Sequence, residues 1–97
     1  MGENERTTWD DAKNERNIRE REIDFSDLDE AFDGRFALIS EDRRRDYGEQ
    51  RFNMLVEIRN LIFSITFTPR PPKHRIISAR LASRKERRAY HAKQQVG

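Results

Sequence analysis

The sequence predicts an α+β domain in which a four-stranded antiparallel sheet carries two N-terminal helices and a C-terminal helix, in the order α-α-β-β-β-β-α. Two central stretches, RFNMLVEIR and LIFSITFT, alternate along the chain with the period of a strand. Stretches on either side carry helix-capping residues and apolar residues at helical spacing. The chain has 97 residues, 34% hydrophobic and 39% charged, which suits one domain with a small core. We expect that domain at residues 8–93, with flexible tails at 1–7 and 94–97.

Two helices are expected before the sheet. The first should begin at Thr8 or Asp10 and run to about Glu20, because its acidic first turn suits the positive end of the helix dipole. The second, Phe25–Phe32, has apolar residues at helical spacing, and Gly34 follows where a left-handed residue commonly ends a helix. We expect this second helix to pack on the sheet.

Four strands are expected next. Arg35–Ser40 is the first candidate, and a charged loop separates it from the two alternating runs, Arg51–Arg59 and Leu61–Thr68. So few residues separate these runs that they should form a tight antiparallel hairpin with one apolar face and one polar face. Prolines then interrupt the chain before the last strand, Arg75–Arg80.

The C-terminal helix should run from about Arg84 to Lys93. Ser83 is a suitable N-cap, and Glu86 stands three residues later, which together form the pattern of a capping box. Most other charged residues of this stretch are basic, so the last strand and the last helix form one basic segment.

Charge is distributed unevenly, although the net charge is only +2. Residues 1–34 hold 5 basic and 12 acidic side chains, a net charge of −7. Residues 35–68 have a net charge of +1, and residues 69–97 hold 9 basic and 1 acidic side chains, a net charge of +8. Such a basic end predicts a nucleic acid or an acidic protein as partner. The alternative is that these charges only keep surface helices solvated.

Several classes of function are excluded by what the sequence lacks. There is no cysteine, no glycine-rich phosphate loop, no HExxH and no serine-triad motif. Two histidines, His74 and His91, are too few for the usual metal cluster, so we predict no metal and no cofactor. With no run of about 18 apolar residues and a polar N-terminus, we expect neither a membrane span nor a signal peptide, and a location in the cytoplasm.

Three motifs carry a family resemblance. The pattern W-D-x-x-K-x-x-x-N is met by Trp9, Asp10, Lys13 and Asn17; YGExRF is met by Tyr47–Phe52; and R-I-I-S-A-R-x-A-x-x-x-E-R-x-x-Y is met by Arg75–Tyr90. Together they resemble the BrnT family, toxins of type II toxin–antitoxin systems.

The resemblance implies a RelE-like fold and an endoribonuclease that cleaves RNA without a metal and arrests translation. It also implies a BrnA-like antitoxin that binds operator DNA through a ribbon-helix-helix domain, in a possible toxin–antitoxin heterotetramer.

The chain departs from the family pattern at two places. Members often have K-H-G after the first helix, where this chain has Glu20, Arg21 and Glu22, and tyrosine is common in the third strand at the position of Phe67. Arginine cannot transfer protons near neutral pH as histidine does. An attenuated or inactive toxin is therefore an alternative.

Metal-free RNA cleavage needs a base for the 2′-OH, an acid for the 5′-oxygen and cations for the phosphorane. We assign Glu49 as the base and His74 as the acid, because His74 is in phase with Arg80 and histidine is the residue type commonly used for proton transfer. The cations are Arg51, Arg70, Arg80 and Arg84. Residues expected to bind RNA by charge or by stacking are Lys13, Arg21, Tyr47, Arg87, Arg88 and Tyr90.

Two non-catalytic functions stay open. The basic end could bind RNA or DNA without cutting it, or it could serve only to seat an acidic segment of an antitoxin. Each site residue also has an ordinary structural explanation: Glu49 can simply pair with an arginine, and Tyr90 can belong to the core.

Overall fold

The computed structural model describes residues 1–96. Over this range the chain forms six strands and two α-helices. In chain order the elements are β1 (Gly2–Glu3), β2 (Thr7–Trp9), α1 (Asp11–Arg21), β3 (Ala37–Glu41), β4 (Phe52–Ile58), β5 (Leu61–Arg70), β6 (Lys73–Leu81) and α2 (Arg84–Val96). Two short 3₁₀ helices, Phe25–Asp27 and Asp29–Phe32, lie between α1 and β3.

The strands form one mixed sheet in the order β1-β2-β6-β5-β4-β3. Strands β3 to β6 are antiparallel neighbours, as predicted, but β2 runs parallel to β6 and β1 pairs with β2. The predicted fold, a four-stranded antiparallel sheet with two N-terminal helices, is therefore wrong in two respects. The described sheet has six strands, and 3₁₀ turns replace the second N-terminal helix.

The two additional strands come from the segment before α1, which has no periodic pattern because two- and three-residue strands are too short to show one. Their pairing is fixed by Trp9, which is 6% exposed and lies opposite Ile76 in the register of β2 and β6. Gly2 crosses the indole so closely that an added Cβ would lie 2.0 Å from Trp9 Nε1. Only glycine therefore lets β1 cover this side chain.

The predicted second helix is broken at Leu28, whose backbone has φ −109° and ψ 6°. The side chain of Asp29 does not belong to a longer helix. It accepts hydrogen bonds from the backbone N–H of Arg6 (2.9 Å) and the hydroxyl of Thr7 (2.8 Å). Because short helical turns gain little by themselves, these tertiary bonds determine the conformation.

The predicted hairpin is confirmed. Its turn residues, Arg59 and Asn60, have φ values of 49° and 70°, as a two-residue turn of the I′ kind requires. The pairs Met54–Ile65 and Val56–Phe63 lie on the apolar face, and both strands contribute to the main core. The hydrophobic pattern of the sequence therefore sets the register.

Helices lie on both faces of the sheet. The core cluster on the apolar face includes residues of the 3₁₀ turns, and α1 packs against β6. On the opposite face Tyr90 of α2 packs with Ile62, Leu38 and Leu55, and the predicted capping box at Ser83 is present. A concavity remains on this second face, and it forms one part of the candidate site. Within the described residues, no helix combines the length and apolarity that crossing a membrane would require.

Candidate functional site

A groove of about 630 Å³ opens on the sheet face that carries α2. Its floor has a row of polar side chains from three adjacent strands, in which Asn53 pairs with Thr66 and Thr66 pairs with Ser78. The hydroxyl of Thr66 donates to Asn53 Oδ1 at 2.8 Å. Other residues that line the groove are Arg21, Leu38, Ile39, Ser40, Arg44, Leu55, Ser64, Ala79, Arg80 and Glu86. The groove therefore combines a polar floor, aliphatic walls and three arginines.

Arg80 enters the groove from β6, where it is paired with Ser64 of β5. Its guanidinium makes a bidentate ion pair with Glu86, with Nη1–Oε1 and Nη2–Oε2 distances of 2.7 and 2.9 Å. The hydrogen bond from Arg80, with that from the backbone N–H of Ser83, lowers the pKa of Glu86 to about 2. Arg80 is thus held in one orientation while part of its guanidinium stays accessible.

A second arginine of the groove, Arg44, is held in the same way. It makes a bidentate ion pair with Asp42 at 2.9 and 2.8 Å, and the hydroxyl of Tyr47 donates to the same carboxylate at 3.2 Å. The hydrogen bond from Arg44 holds the pKa of Asp42 well below its usual range. The charged loop before β4 is therefore ordered by its own ion pairs.

The third arginine, Arg21, reaches the groove from the end of α1. Strand β2 pairs only with the first part of β6, and α1 packs beside the rest of β6. There the side chain of Asn17 accepts a hydrogen bond from Ala79 N at 3.2 Å. Lys13 and Arg21 stand one turn before and one turn after Asn17, on the same side of the helix. A cationic stripe therefore follows the β6 edge into the groove.

A separate group of side chains, which we call the loop cluster, consists of Tyr47, Glu49, Arg51 and Arg70. Arg70 Nη2 donates to Glu49 Oε1 at 2.8 Å, and Arg51 Nε lies 3.5 Å from Glu49 Oε2. The Arg51 guanidinium lies 4.1 Å from the centre of the Tyr47 ring, which is a cation–π contact. One carboxylate thus accepts a hydrogen bond from Arg70 and makes a longer ion pair with Arg51, whose buried Nε has no hydrogen-bond partner.

Electrostatics in the loop cluster favour an ionised carboxylate. The hydrogen bond from Arg70 is the main reason that the pKa of Glu49 is lowered, and the charge of Arg51 acts in the same direction. The Glu49 side chain is 29% exposed, so solvent and a ligand can both reach it. Chemically, the cluster can bind a phosphate and can accept a proton.

The protein-family model for the BrnT ribonuclease toxin of type II toxin–antitoxin systems matches residues 9–86 of this chain. The chain belongs to the BrnT family. The match spans the groove and the loop cluster, and it confirms the resemblance carried by the three sequence motifs. No curated protein matches the chain. As a member of a type II toxin family, this BrnT chain has an antitoxin as its expected partner.

The structure brings some predicted site residues of the BrnT chain together and separates others. Glu49, Arg51 and Arg70 are in contact through their side chains. His74 pairs with Pro69, next to Arg70, but its side chain lies on the opposite face of the sheet. The reason is a register shift that leaves Ile77 outside the pairing of β5 and β6 and reverses the phase of the strand. The His74 ring stacks on Phe32 at 4.5 Å, on the apolar face, and does not share a face with Arg80.

The predicted residues of α2 have different surroundings. Tyr90 is 2% exposed and packs edge-on against Phe36, so its ring is not available to stack on a base. Burial also raises the pKa of its hydroxyl. Arg84, Arg87 and Arg88 lie exposed on the helix, and Arg87 donates to the carbonyl of Ala82 at 2.9 Å.

Of the residues that line the groove, only Arg21 and Arg80 are among the site residues predicted from the sequence, and three of the others show why. Ser64 has a signal, because it lies in phase with Thr66 on the polar face of the hairpin. Ser78 is hidden by the register shift, which makes the phase of β6 unreadable from the sequence. Arg44 stands in a run of three arginines, and nothing in the sequence distinguishes it from its neighbours.

Proposed function

We propose that this BrnT-family chain is an endoribonuclease toxin that cleaves RNA on the open sheet face, without a metal ion, and thereby inhibits translation. The observation that carries the proposal is the contact of Glu49 with both Arg51 and Arg70, beside a groove that contains further arginines. A carboxylate between two guanidinium groups matches the needs of phosphodiester cleavage by the neighbouring 2′-OH.

In the proposed reaction, Glu49 takes the proton of the 2′-OH as this oxygen attacks the adjacent phosphorus. Arg51 and Arg70 bind the non-bridging oxygens and stabilise the charge that develops on them, since guanidinium forks match two phosphate oxygens. The departing 5′-oxygen takes its proton from water at the exposed side of the cluster. His74 has no part in this scheme, because its ring is stacked on Phe32 on the other face.

Binding of the RNA strand is assigned to the cations around the reaction centre. Arg80 and Arg21 hold phosphates in the groove, and Lys13 extends the contact along α1. Tyr47 stacks on a base from the loop cluster. The exposed arginines of α2 add long-range attraction for the polyanion: Arg84, Arg87 and Arg88.

The partner is proposed to be a BrnA-like antitoxin with a ribbon-helix-helix domain, through which the complex binds operator DNA as a possible heterotetramer. Support comes from charge: residues 69–97 have a net charge of +8, which attracts an acidic antitoxin segment as well as RNA. An antitoxin on this surface would cover the RNA-binding cations. Since translation is the proposed target, we expect the toxin to act in the cytoplasm.

The test is to express the chain alone and with its antitoxin while following growth and RNA integrity, and then to repeat cleavage with purified protein in the presence of a chelator. Cleavage that persists with chelator and is lost in Arg51→Ala supports the proposal. Arg19→Ala is the matched control, because Arg19 is exposed on the side of α1 opposite Asn17. Folded protein that neither cleaves RNA nor slows growth would refute the proposal.

One observation favours a second function, binding of RNA without cleavage. Arg80 and Arg70 are each already paired with a carboxylate, Glu86 and Glu49, and Arg21 stands where many family members have a histidine. Salt-dependent RNA binding with no product after long incubation would support this function. It would exclude catalysis by Glu49 but not RNA binding by the groove.

A further inference from the structure

We propose that the groove is a base-recognition subsite in which Asn53 selects a keto base, uracil or guanine, next to the cleaved phosphate. The inference rests on the proposed function in one respect, namely that RNA binds to this face. It adds a specificity-determining residue that takes no part in the chemistry. The groove differs from the loop cluster in its lining, which has aliphatic walls and hydroxyl groups in addition to charge.

The groove has the size and walls that a nucleobase needs. Its volume of about 630 Å³ lies within the range of small-molecule sites. Leu55 and Leu38 are partly buried and give the flat ring of a base an apolar surface. Arg44, held in place by Asp42, borders the groove and offers a guanidinium plane for stacking. A base can thus be held on its faces while its edge meets the floor.

The groove lies next to the proposed reaction centre, at a distance that one nucleotide can span. Asn53 follows Arg51 by two residues, and so by about 7 Å along the chain, on the same side of an extended backbone. Thr66 precedes Thr68 by the same step, and Arg70 Nη1 lies 3.4 Å from the hydroxyl of Thr68. A nucleotide neighbouring the phosphate bound by Arg51 and Arg70 therefore reaches Asn53, while Arg80 is available for the next phosphate.

The hydrogen bonding of Asn53 determines which base edge it can read. Its Oδ1 already accepts the hydroxyl hydrogen of Thr66 at 2.8 Å. The two N–H groups of Nδ2 are left to donate toward a ligand, so Asn53 presents donors to the groove. Uracil and guanine offer keto oxygens to such donors, whereas the amino group of adenine at the equivalent position is itself a donor. The floor therefore favours keto bases over adenine.

The experiment measures binding to short single-stranded RNA that cannot be cleaved. Hexamers of adenosine with 2′-fluoro sugars are compared with hexamers in which one adenosine is replaced by inosine, at each position in turn. Inosine exchanges the amino group for a keto oxygen, so the two differ chiefly at the edge that Asn53 is proposed to read. We expect inosine at one position to tighten binding by roughly 5- to 10-fold, the effect of one hydrogen bond.

Two variants test whether this preference comes from Asn53. Asn53→Asp replaces the donors by acceptors and should abolish or reverse the preference for inosine. Thr66→Val releases Asn53 Oδ1, lets the amide present an acceptor, and should reduce the preference to about 2-fold or less. Because each result is a ratio between two ligands of equal charge, the repulsion between the introduced carboxylate and the phosphates cancels.

The outcomes separate the inference from the proposed function. Equal affinity for every hexamer, or an inosine preference that survives Asn53→Asp in folded protein, would overturn the base-recognition subsite and leave RNA cleavage on this face intact. Absence of any RNA binding would overturn both. A position-specific preference that both variants diminish supports the subsite, even in a chain that binds RNA without cutting it.

Discussion

Glu49 occupies a position where its neighbours determine both its charge and its reactivity. Its oxygens lie 2.8 Å from Arg70 Nη2 and 3.5 Å from Arg51 Nε, so the carboxylate stays ionised at neutral pH. The same ion pairs make Glu49 a weaker base. In the proposed cleavage reaction this lowers the rate of proton transfer, but the deprotonated form is always present. In the proposed reaction, cleavage should therefore be slow and should vary little with pH above about 4.5.

Glu49→Gln should reduce RNA cleavage by about 10²- to 10⁴-fold, the usual contribution of a general base, while RNA binding is kept or improved. Cleavage of a labelled oligonucleotide and its affinity at one salt concentration are the two measurements. Because the pKa of Glu49 is lowered from its ordinary 4.5, wild-type activity should fall only as the pH drops below about 4.5. An acidic limit near pH 6 to 7 would instead indicate a histidine and contradict this assignment.

At the scale of elements, α2 begins with an arrangement that also belongs to the groove. Glu86 accepts from Ser83 N at 2.8 Å, which caps the helix, and it pairs with Arg80 of β6. One carboxylate therefore connects the helix start, the last strand and a cation of the site. The basic first turn of α2 opposes the helix dipole, and Glu86 offsets part of that repulsion.

Glu86→Gln should lower the free energy of unfolding by about 1–2 kcal/mol at pH 7, through the weakened cap and the lost ion pair. The folded pKa of Glu86 is about 2, below its ordinary 4.5, so its contribution is complete above about pH 4.5 and is lost as the pH falls toward 2. The difference between wild type and variant in urea unfolding should shrink over this pH range. Glu15→Gln, at an exposed position of α1, is the control.

The α1 helix completes the sheet at the β6 edge through Asn17. Its side chain accepts from Ala79 N at 3.2 Å and donates to the carbonyl of Ile23 at 3.0 Å. Asn17→Ala leaves the buried Ala79 N–H and the partly buried Ile23 carbonyl without these partners and should cost about 2–3 kcal/mol in urea unfolding. Arg19→Ala should stay within about 0.5 kcal/mol of wild type. An equal, small effect of both changes would show that Asn17 does not stabilise the β6 edge of the sheet.

Periodicity predicted the elements that are long enough to have a period. The β4–β5 hairpin, with its buried Met54 and Val56, and the capping box of α2 follow from the sequence by local rules. Strands β1 and β2 do not, because their pairing depends on Trp9 fitting over Gly2. The 3₁₀ turns depend on Asp29 binding the backbone of β2, a partner distant in sequence.

The candidate site likewise has one part that local sequence rules predict and one part that they do not. Glu49, Arg51 and Arg70 could be assigned together because they lie in phase on one hairpin. The sequence predicts the wrong face for His74, because a bulge of one residue at Ile77 reverses every side chain before it on β6. No sequence pattern marks such a bulge, so the phase of the last strand required the structure.

At the scale of the whole molecule, charge is separated between the two ends of the chain, −7 in residues 1–34 and +8 in residues 69–97. Much of the acidic charge is engaged in ion pairs: Asp29 binds Arg6, Asp33 binds Arg35, and Glu30 binds both Arg35 and Arg59. The arginines of α2 lie exposed at the other end of the chain, whereas Arg44 and Arg80 of the groove are themselves paired with Asp42 and Glu86. The molecule can therefore attract RNA although its net charge is only +2.

This distribution predicts how RNA binding responds to salt. For a single strand, the slope of log affinity against log salt is about −0.7 for each phosphate that a cation neutralises. If Lys13 and Arg21 each bind one phosphate, the double variant Lys13→Ala/Arg21→Ala should reduce the magnitude of the slope by about 1.4. Arg19→Ala removes a charge from the same helix but on the side away from β6, so it should leave the slope unchanged. If all three substitutions change the slope equally, only the overall charge of α1 matters and the cationic stripe is not a binding surface.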